Sequence, residues 1–208
     1  MGPTLGMLTK FLTEIDIDLP QVDTVLLTHM HPDHSNGLSD VNGKRLFPNA
    51  EIVVSEKDID YWHDDSAMAK ANENQRVRYF EGARFQIAPY MDRLKPAMGE
   101  VFPNVRAVDL SGHTPGHTGY MIESQNDSLL VWGDICHVPD IQVRRPEVTM
   151  VFDADPEAAI NTRRRTFDMV SSDKVLVAGM HLHFPGFSHV IANRDGYRMV
   201  PESWAFTT

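Results

Sequence analysis

One stretch constrains the fold more than any other. An apolar, β-branched run, Val22-Asp23-Thr24-Val25-Leu26-Leu27-Thr28, breaks at once into His29-Met30-His31-Pro32-Asp33-His34. The first part reads as a buried strand. Pro32 cannot continue a strand interior and forces a turn. Three imidazoles and a carboxylate are therefore packed into six consecutive positions, His29 to His34, at a strand end. Neutral imidazole nitrogen and carboxylate oxygen are the usual donors for zinc and related divalent ions. His29 and His31 are two apart, so in extended backbone they point to the same side. Beyond the turn, Asp33 and His34 are redirected toward a second point, and one short loop suits two metal positions. Read as a polar loop with incidental histidines, the run leaves the donors elsewhere in the chain unexplained.

Those donors follow other strands. The pattern predicts strands at 22–28, Glu51 to Ser55, Asn104 to Leu110, Gly119 to Glu123, Ser128 to Trp132 and Lys174 to Ala178. A closing hairpin, Val190 to Ala192 and Tyr197 to Val200, turns at Asn193-Arg194-Asp195-Gly196. Helices are predicted over Leu5 to Ile15 (led in by Gly2-Pro3-Thr4), from Glu56 toward Ala69, over most of Phe80 to Leu94, and from Asp155-Pro156 to about Val170. In the last of these, Asp155 is the N-cap and proline lies in the first turn. Alternating strands and helices make the class α/β. His29 follows the strand 22–28, His117 follows 104–110, Asp134 follows 128–132 and His181 follows 174–178. Loops at strand ends on one edge of a sheet are where rigid scaffolds gather functional groups.

The chain of 208 residues is read as a single domain, 1–208, and a hydrophobic content of 42% is ample for a core. A net charge of -10 argues against nucleic acid or an anionic membrane surface as partner. It permits an anionic substrate, because bound divalent ions invert the local field. Cys136 is the only cysteine, so no intrachain disulfide forms. No apolar run approaches membrane-spanning length, and no signal peptide is visible. A cytoplasmic location is the default expectation, a periplasmic one if a longer form carries a leader.

Taken together, His-x-His-x-Asp-His, Thr114-Pro115-Gly116-His117-Thr118, Trp132-Gly133-Asp134 and the Gly179-Met180-His181 strand end resemble the metallo-β-lactamase superfamily. Gly2 to Gly6, Gly112 to Thr118, His137, Phe152-Asp153-Ala154-Asp155-Pro156 and His181 to Gly186 resemble its methyl parathion hydrolase branch, which is itself similar to acyl-homoserine lactone lactonases. The resemblance runs from about Gly2 to Phe206. It implies an αββα sandwich, here lacking some N-terminal strands, and exposure of the strand edge they would cover implies a homo-oligomer. It also implies one metal on His29, His31 and His117, a second on Asp33, His34 and His181, and Asp134 bridging both. Zinc is the expected metal, with manganese, iron and cobalt open.

The implied reaction is hydrolysis of a small-molecule ester, lactone or phosphotriester. Two divalent ions roughly 3.5–4 Å apart lower the pKa of a shared water and polarise the substrate oxygen. Asp33 is the candidate catalytic proton acceptor, and neither Cys136 nor a serine nucleophile is required. The resemblance gives His113 no ligand role, and it reads as structural; His137 is a candidate for a pocket or supporting role. His183 should face away from His181, and His63 and His189 read as surface residues. Trp132, Phe184 and Phe187 read equally well as pocket lining or core, and Arg163-Arg164-Arg165 as a solvated helix face. The competing functions are a thioesterase of the glyoxalase II kind and a metal-binding but inactive remnant.

Overall fold

A computed structural model describes residues 6–203. They form two compact units, one reaching to Ala97 and one starting at Met98, each with its own core. Gly2 to Leu5 and Phe206, which belong to the expected N-terminal helix and to the span of the resemblance, lie outside the described residues.

In the first unit, β1 (Thr24–Leu26), β2 (Glu51–Val54) and β3 (Leu94–Pro96) pair in parallel, in that order. Ile52, Val53 and Val54 are all buried, as expected of a central parallel strand covered on both faces. Helix α1 (Leu8–Glu14) precedes the sheet. Its Leu12 packs on the core, whereas Leu8, Phe11 and Ile15 stay more than half exposed. Helix α2 (Pro32–Ser35) follows β1 and its loop. The helix expected from Glu56 to Ala69 is two helices, α3 (Glu56–His63) and α4 (Asp65–Lys70). Asp64 separates them in an extended conformation, and its carboxylate caps the second by accepting from Ser66 N at 2.7 Å.

Helix α5 (Glu73–Gln75) opens the next helical stretch, which passes through a π-turn segment, Arg76–Glu81, into α6 (Gly82–Ile87). A 3-10 segment, Ala88–Arg93, ends it. Leu94, expected as the end of a helix, instead starts β3, where it pairs with Ile52. A strand this short, with Leu94 its one large apolar residue, carries no period that a sequence can show. Trp62, Phe80, Ile87, Tyr90, Ile52 and Met30 lie at the centre of this core.

The second unit is one seven-stranded sheet in the order β10-β9-β8-β7-β6-β5-β4. The strands are β4 (Glu100–Phe102), β5 (Val105–Asp109), β6 (Thr118–Ser124), β7 (Asp127–Val131), β8 (Leu176–Ala178), β9 (Phe187–Asn193) and β10 (Gly196–Pro201). All neighbours are antiparallel except β7 and β8. A parallel pair needs a long crossover. That crossover contains the short α7 (Pro139–Gln142) and the long α8 (Pro156–Ser172). Asp155 caps α8 as expected, accepting from Ala158 N at 3.0 Å. Strand β5 runs in the same direction as β7 and β8, so the loops after all three emerge on one edge of the sheet. His113, Asp134 and His181 stand in those loops. Beneath them Trp132, fully buried, packs on Phe167 of α8 with ring centroids 5.7 Å apart, so Trp132 is core rather than pocket lining.

Candidate metal centre

In the first unit the histidine run is held by its own backbone and by one buried carboxylate. Leu27 N donates to Val53 O, which keeps the chain extended up to the loop. His31 is the N-cap of α2 and Pro32 its first residue, where the missing N–H costs nothing. Asp58 Oδ2 accepts Met30 N at 2.8 Å and Trp62 Nε1 at 3.1 Å. Ser35 Oγ donates to the carbonyls of Met30 and His31. Thr28 Oγ1 lies 3.1 Å from His29 Nδ1 and 3.4 Å from His34 Nδ1. The His29 ring lies 4.9 Å from that of His31 and 4.0 Å from that of His34. His29 and His31 are buried, and Trp62 and Tyr79 pack on the His31 ring. Asp33, exposed, sits with Oδ2 3.6 Å from His34 Nε2. The run thus sets the His29 ring beside those of His31 and His34, and Asp33 beside His34.

In the second unit the focus is Asp134, a carboxylate 2% exposed. Three imidazoles converge on its Oδ2: His137 Nε2 at 3.0 Å, His181 Nε2 at 3.3 Å and His113 Nε2 at 3.4 Å. His113, Asp134 and His137 each offer a ligand atom within 4.8 Å of the others. His137 stacks on His181 at 4.8 Å, and Phe152 packs edge-on against His137 and His113. The Nδ1 of His137 is buried without a hydrogen bond. Burial holds the His137 pKa below its ordinary value despite the neighbouring Asp134 carboxylate. For His113 burial also opposes the charge, but the hydrogen bonds and negative charges of Asp134 and Asp153 outweigh it and raise the ring to about 8.

His117, a ligand in the set that the resemblance implies, has both ring nitrogens against backbone atoms. Its Nδ1 lies 3.0 Å from Leu110 O, which only accepts, and its Nε2 accepts Asp134 N at 3.0 Å. These partners suit a neutral Nδ1–H tautomer, with both nitrogens facing backbone. The ring fastens the end of β5 to the residue that carries the central carboxylate. His113, four residues earlier, turns its Nε2 to Asp134 instead. Both histidines lie in one Gly-Pro-rich loop, and nothing in their spacing tells which ring turns inward.

Supporting groups were also hidden from the sequence. Gly112 adopts φ +139, and a Cβ there would fall 2.4 Å from Ala159 N, so the loop carrying His113 runs hard against the first turn of α8. Arg163 is not on a solvated face: at 1% exposure its guanidinium donates to the carbonyls of Ile135, Pro146 and Val148. Gln142 Oε1 accepts the backbone N–H groups of His137 and Val138. Together they hold the loop that follows Asp134. Cys136 is fully buried and its thiol is pushed up to about 12 by that burial, which removes it as a nucleophile at neutral pH. His183 pairs with Asp140 and His189 with Glu202, both at exposed positions. His63 bonds the carbonyl of Ile59 and is exposed, and Phe184 is 76% exposed.

The family model of the metallo-beta-lactamase superfamily matches residues 1–181. The N-acyl homoserine lactonase of Bacillus thuringiensis is 24% identical over 180 residues, which are 86% of this chain and 60% of that protein. The chain thus spans less than two thirds of the length of this relative. Among solved structures, hydrolase AbOPH of the beta lactamase superfamily is 33% identical with a TM-score of 0.90; the match covers 99% of this chain and 73% of that one. AidC, a dizinc quorum-quenching lactonase solved with a product bound, has a TM-score of 0.90 at 24% identity with the same coverages, a likeness of fold.

Proposed function

The chain belongs to the metallo-beta-lactamase superfamily, and on that footing we propose that it is a metal-dependent hydrolase of small-molecule esters, lactones or phosphotriesters, with lactones placed first. The observation that carries the reading is the buried Asp134 carboxylate with three imidazole nitrogens within 3.4 Å of one of its oxygens. A buried carboxylate among imidazoles is a donor set for a cation, and mixed N/O donors suit zinc. The residues therefore fit the pair of divalent ions that the resemblance implies. We assign the ligands to His29, His31, Asp33 and His34 of the first unit and to His113, Asp134 and His181 of the second. In this assignment His113 takes the place first given to His117.

When bound, such ions supply Lewis acidity and lower the pKa of water. The chain's own residues do the rest. Thr28, at the Nδ1 atoms of His29 and His34, fixes both rings from behind. Asp33, the exposed carboxylate of the set, would take the proton of an attacking water. The lactone preference draws on the lactonases among the relatives.

The test is metal analysis of purified protein beside a substrate panel: a lactone, an arylester, a phosphotriester and a glutathione thioester. Lactone turnover that is lost on chelation and restored by zinc is the expected result. Turnover of the thioester alone would assign the protein to the glyoxalase II kind of chemistry. Stoichiometric metal with no turnover on any substrate would overturn the hydrolase reading.

A further inference from the structure

The His113 loop and the segment before α8 are laced together. Ala154 N donates to His113 O at 2.9 Å and Asp155 N donates to Gly112 O at 3.0 Å. Between these two backbone bonds, Asp153 Oδ1 lies 2.8 Å from His113 Nδ1. The Asp153 side chain is fully buried, and its second oxygen accepts Met150 N at 2.8 Å. Asp153 N donates in return to Met150 O. The carboxylate is thus held at both oxygens, one of them by the imidazole.

We propose that Asp153 is a positioning residue, which locks His113 in the Nδ1–H tautomer and so commits its Nε2 to a divalent ion. The proposal rests on the metal-centre reading above. An ionised carboxylate only accepts hydrogen bonds, so the imidazole nitrogen facing it keeps its proton. The neutral ring then carries its lone pair on Nε2, the atom 3.4 Å from Asp134 Oδ2. A ring rotated or in the other tautomer would point an N–H where a ligand is needed. Carboxylate partners of this kind orient metal-binding histidines, and removing them typically weakens metal affinity by about 10–100-fold.

Asp153→Asn is the informative variant because an amide cannot replace this carboxylate. Both oxygens face N–H donors, from His113 and from Met150. An amide has one acceptor and one NH2 group, so with Met150 N on the acceptor the NH2 faces His113 Nδ1 and is satisfied only when the ring proton moves to Nε2. Three measurements separate the outcomes. Zinc affinity is measured by competition with a chromophoric chelator, in wild type and variant. The His113 tautomer is read in the metal-free proteins by nitrogen-15 NMR at about pH 9.5, where imidazoles are neutral. Thermal unfolding of the metal-free proteins reports the purely structural share. The expected result is an Nδ1–H ring in wild type, a shift toward Nε2–H in Asp153→Asn, and zinc affinity reduced about 10–100-fold. Unchanged zinc affinity in a folded variant, or an Nε2–H ring in metal-free wild type, would overturn the proposal. The wild-type tautomer decides the matter even if the variant fails to fold. A wild type that takes up no zinc would instead overturn the metal-centre reading on which the proposal stands.

Discussion

The carboxylate of Asp58 accepts the backbone N–H of Met30 at 2.8 Å, across 28 residues of sequence. It is the buried tie between α3 and the histidine run, and the same oxygen also receives the indole N–H of Trp62. Asp58→Ala would leave both donors buried without that acceptor. Hydrogen bonds to charged groups are worth about 1.5–3 kcal/mol each. The expected outcome is destabilisation of about 3–6 kcal/mol in denaturant unfolding, with reduced zinc occupancy because the loop loses its tie. Wild-type stability in this variant would show that Asp58 does not hold the loop.

Arg163 and Arg164 are adjacent, yet they should behave as two different residues. Arg163 donates to the buried carbonyls of Ile135 and Pro146 and to Val148 O, which Gln142 Nε2 also reaches, so Arg163→Met leaves the first two without this donor. At about 1–3 kcal/mol for each buried group left unsatisfied, a loss of about 2 kcal/mol or more is expected. Arg163→Lys should rescue little, because an ammonium cannot reproduce the planar fork. Exposed Arg164→Ala should stay within about 0.5 kcal/mol of wild type. Urea midpoints of the three variants check the order, and equal midpoints would contradict it.

The two loop histidines should separate in metal content. His113→Gln removes the ring turned to Asp134, and purified protein should lose zinc occupancy. His117→Gln removes a tie between Leu110 O and Asp134 N, so stability should fall while zinc is retained in the folded fraction. Elemental analysis beside thermal unfolding reads both. Loss of zinc in His117→Gln with retention in His113→Gln would restore the ligand assignment made from resemblance.

Tyr197 offers a pH-dependent readout away from the metal centre. Burial, reinforced by its hydrogen bond to Asp168 and by that carboxylate's charge, pushes the phenol up to about 12. The unfolded phenol titrates near ~10. Because folding favours the neutral form, the contribution to stability is fully present below about pH 10 and is lost as pH rises through about 12. The difference in ultraviolet phenolate absorbance between wild type and Tyr197→Phe should show one phenol titrating late. A midpoint near ~10 would mean that the Asp168 contact does not persist in solution.

Much of the second unit was legible as sequence. The hairpin of β9 and β10 follows from alternation around Asn193-Arg194-Asp195-Gly196, and α8 from its Asp155-Pro156 start. Strands β3 and β4 were missed, since three residues are too few to show a period. The break at Asp64 was missed because an aspartate inside a helical pattern becomes a cap only when the next helix sets off in a new direction.

The order of side chains along the chain determined the chemistry: a strand ending in His-x-His-x-Asp-His, with further donors after later strands, already specified an α/β scaffold that gathers imidazole and carboxylate at sheet edges. Tertiary structure decided which way each member of two sequence neighbourhoods turns. His113 rather than His117 turns to Asp134, and Arg163 rather than Arg164 is buried. The reason is physical. Residue type fixes what a group is able to bind, but a ring's lone pair or a guanidinium's burial depends on partners such as Leu110 O, Asp153 or Pro146 O, which sequence distance does not reveal and only folding brings within hydrogen-bond reach.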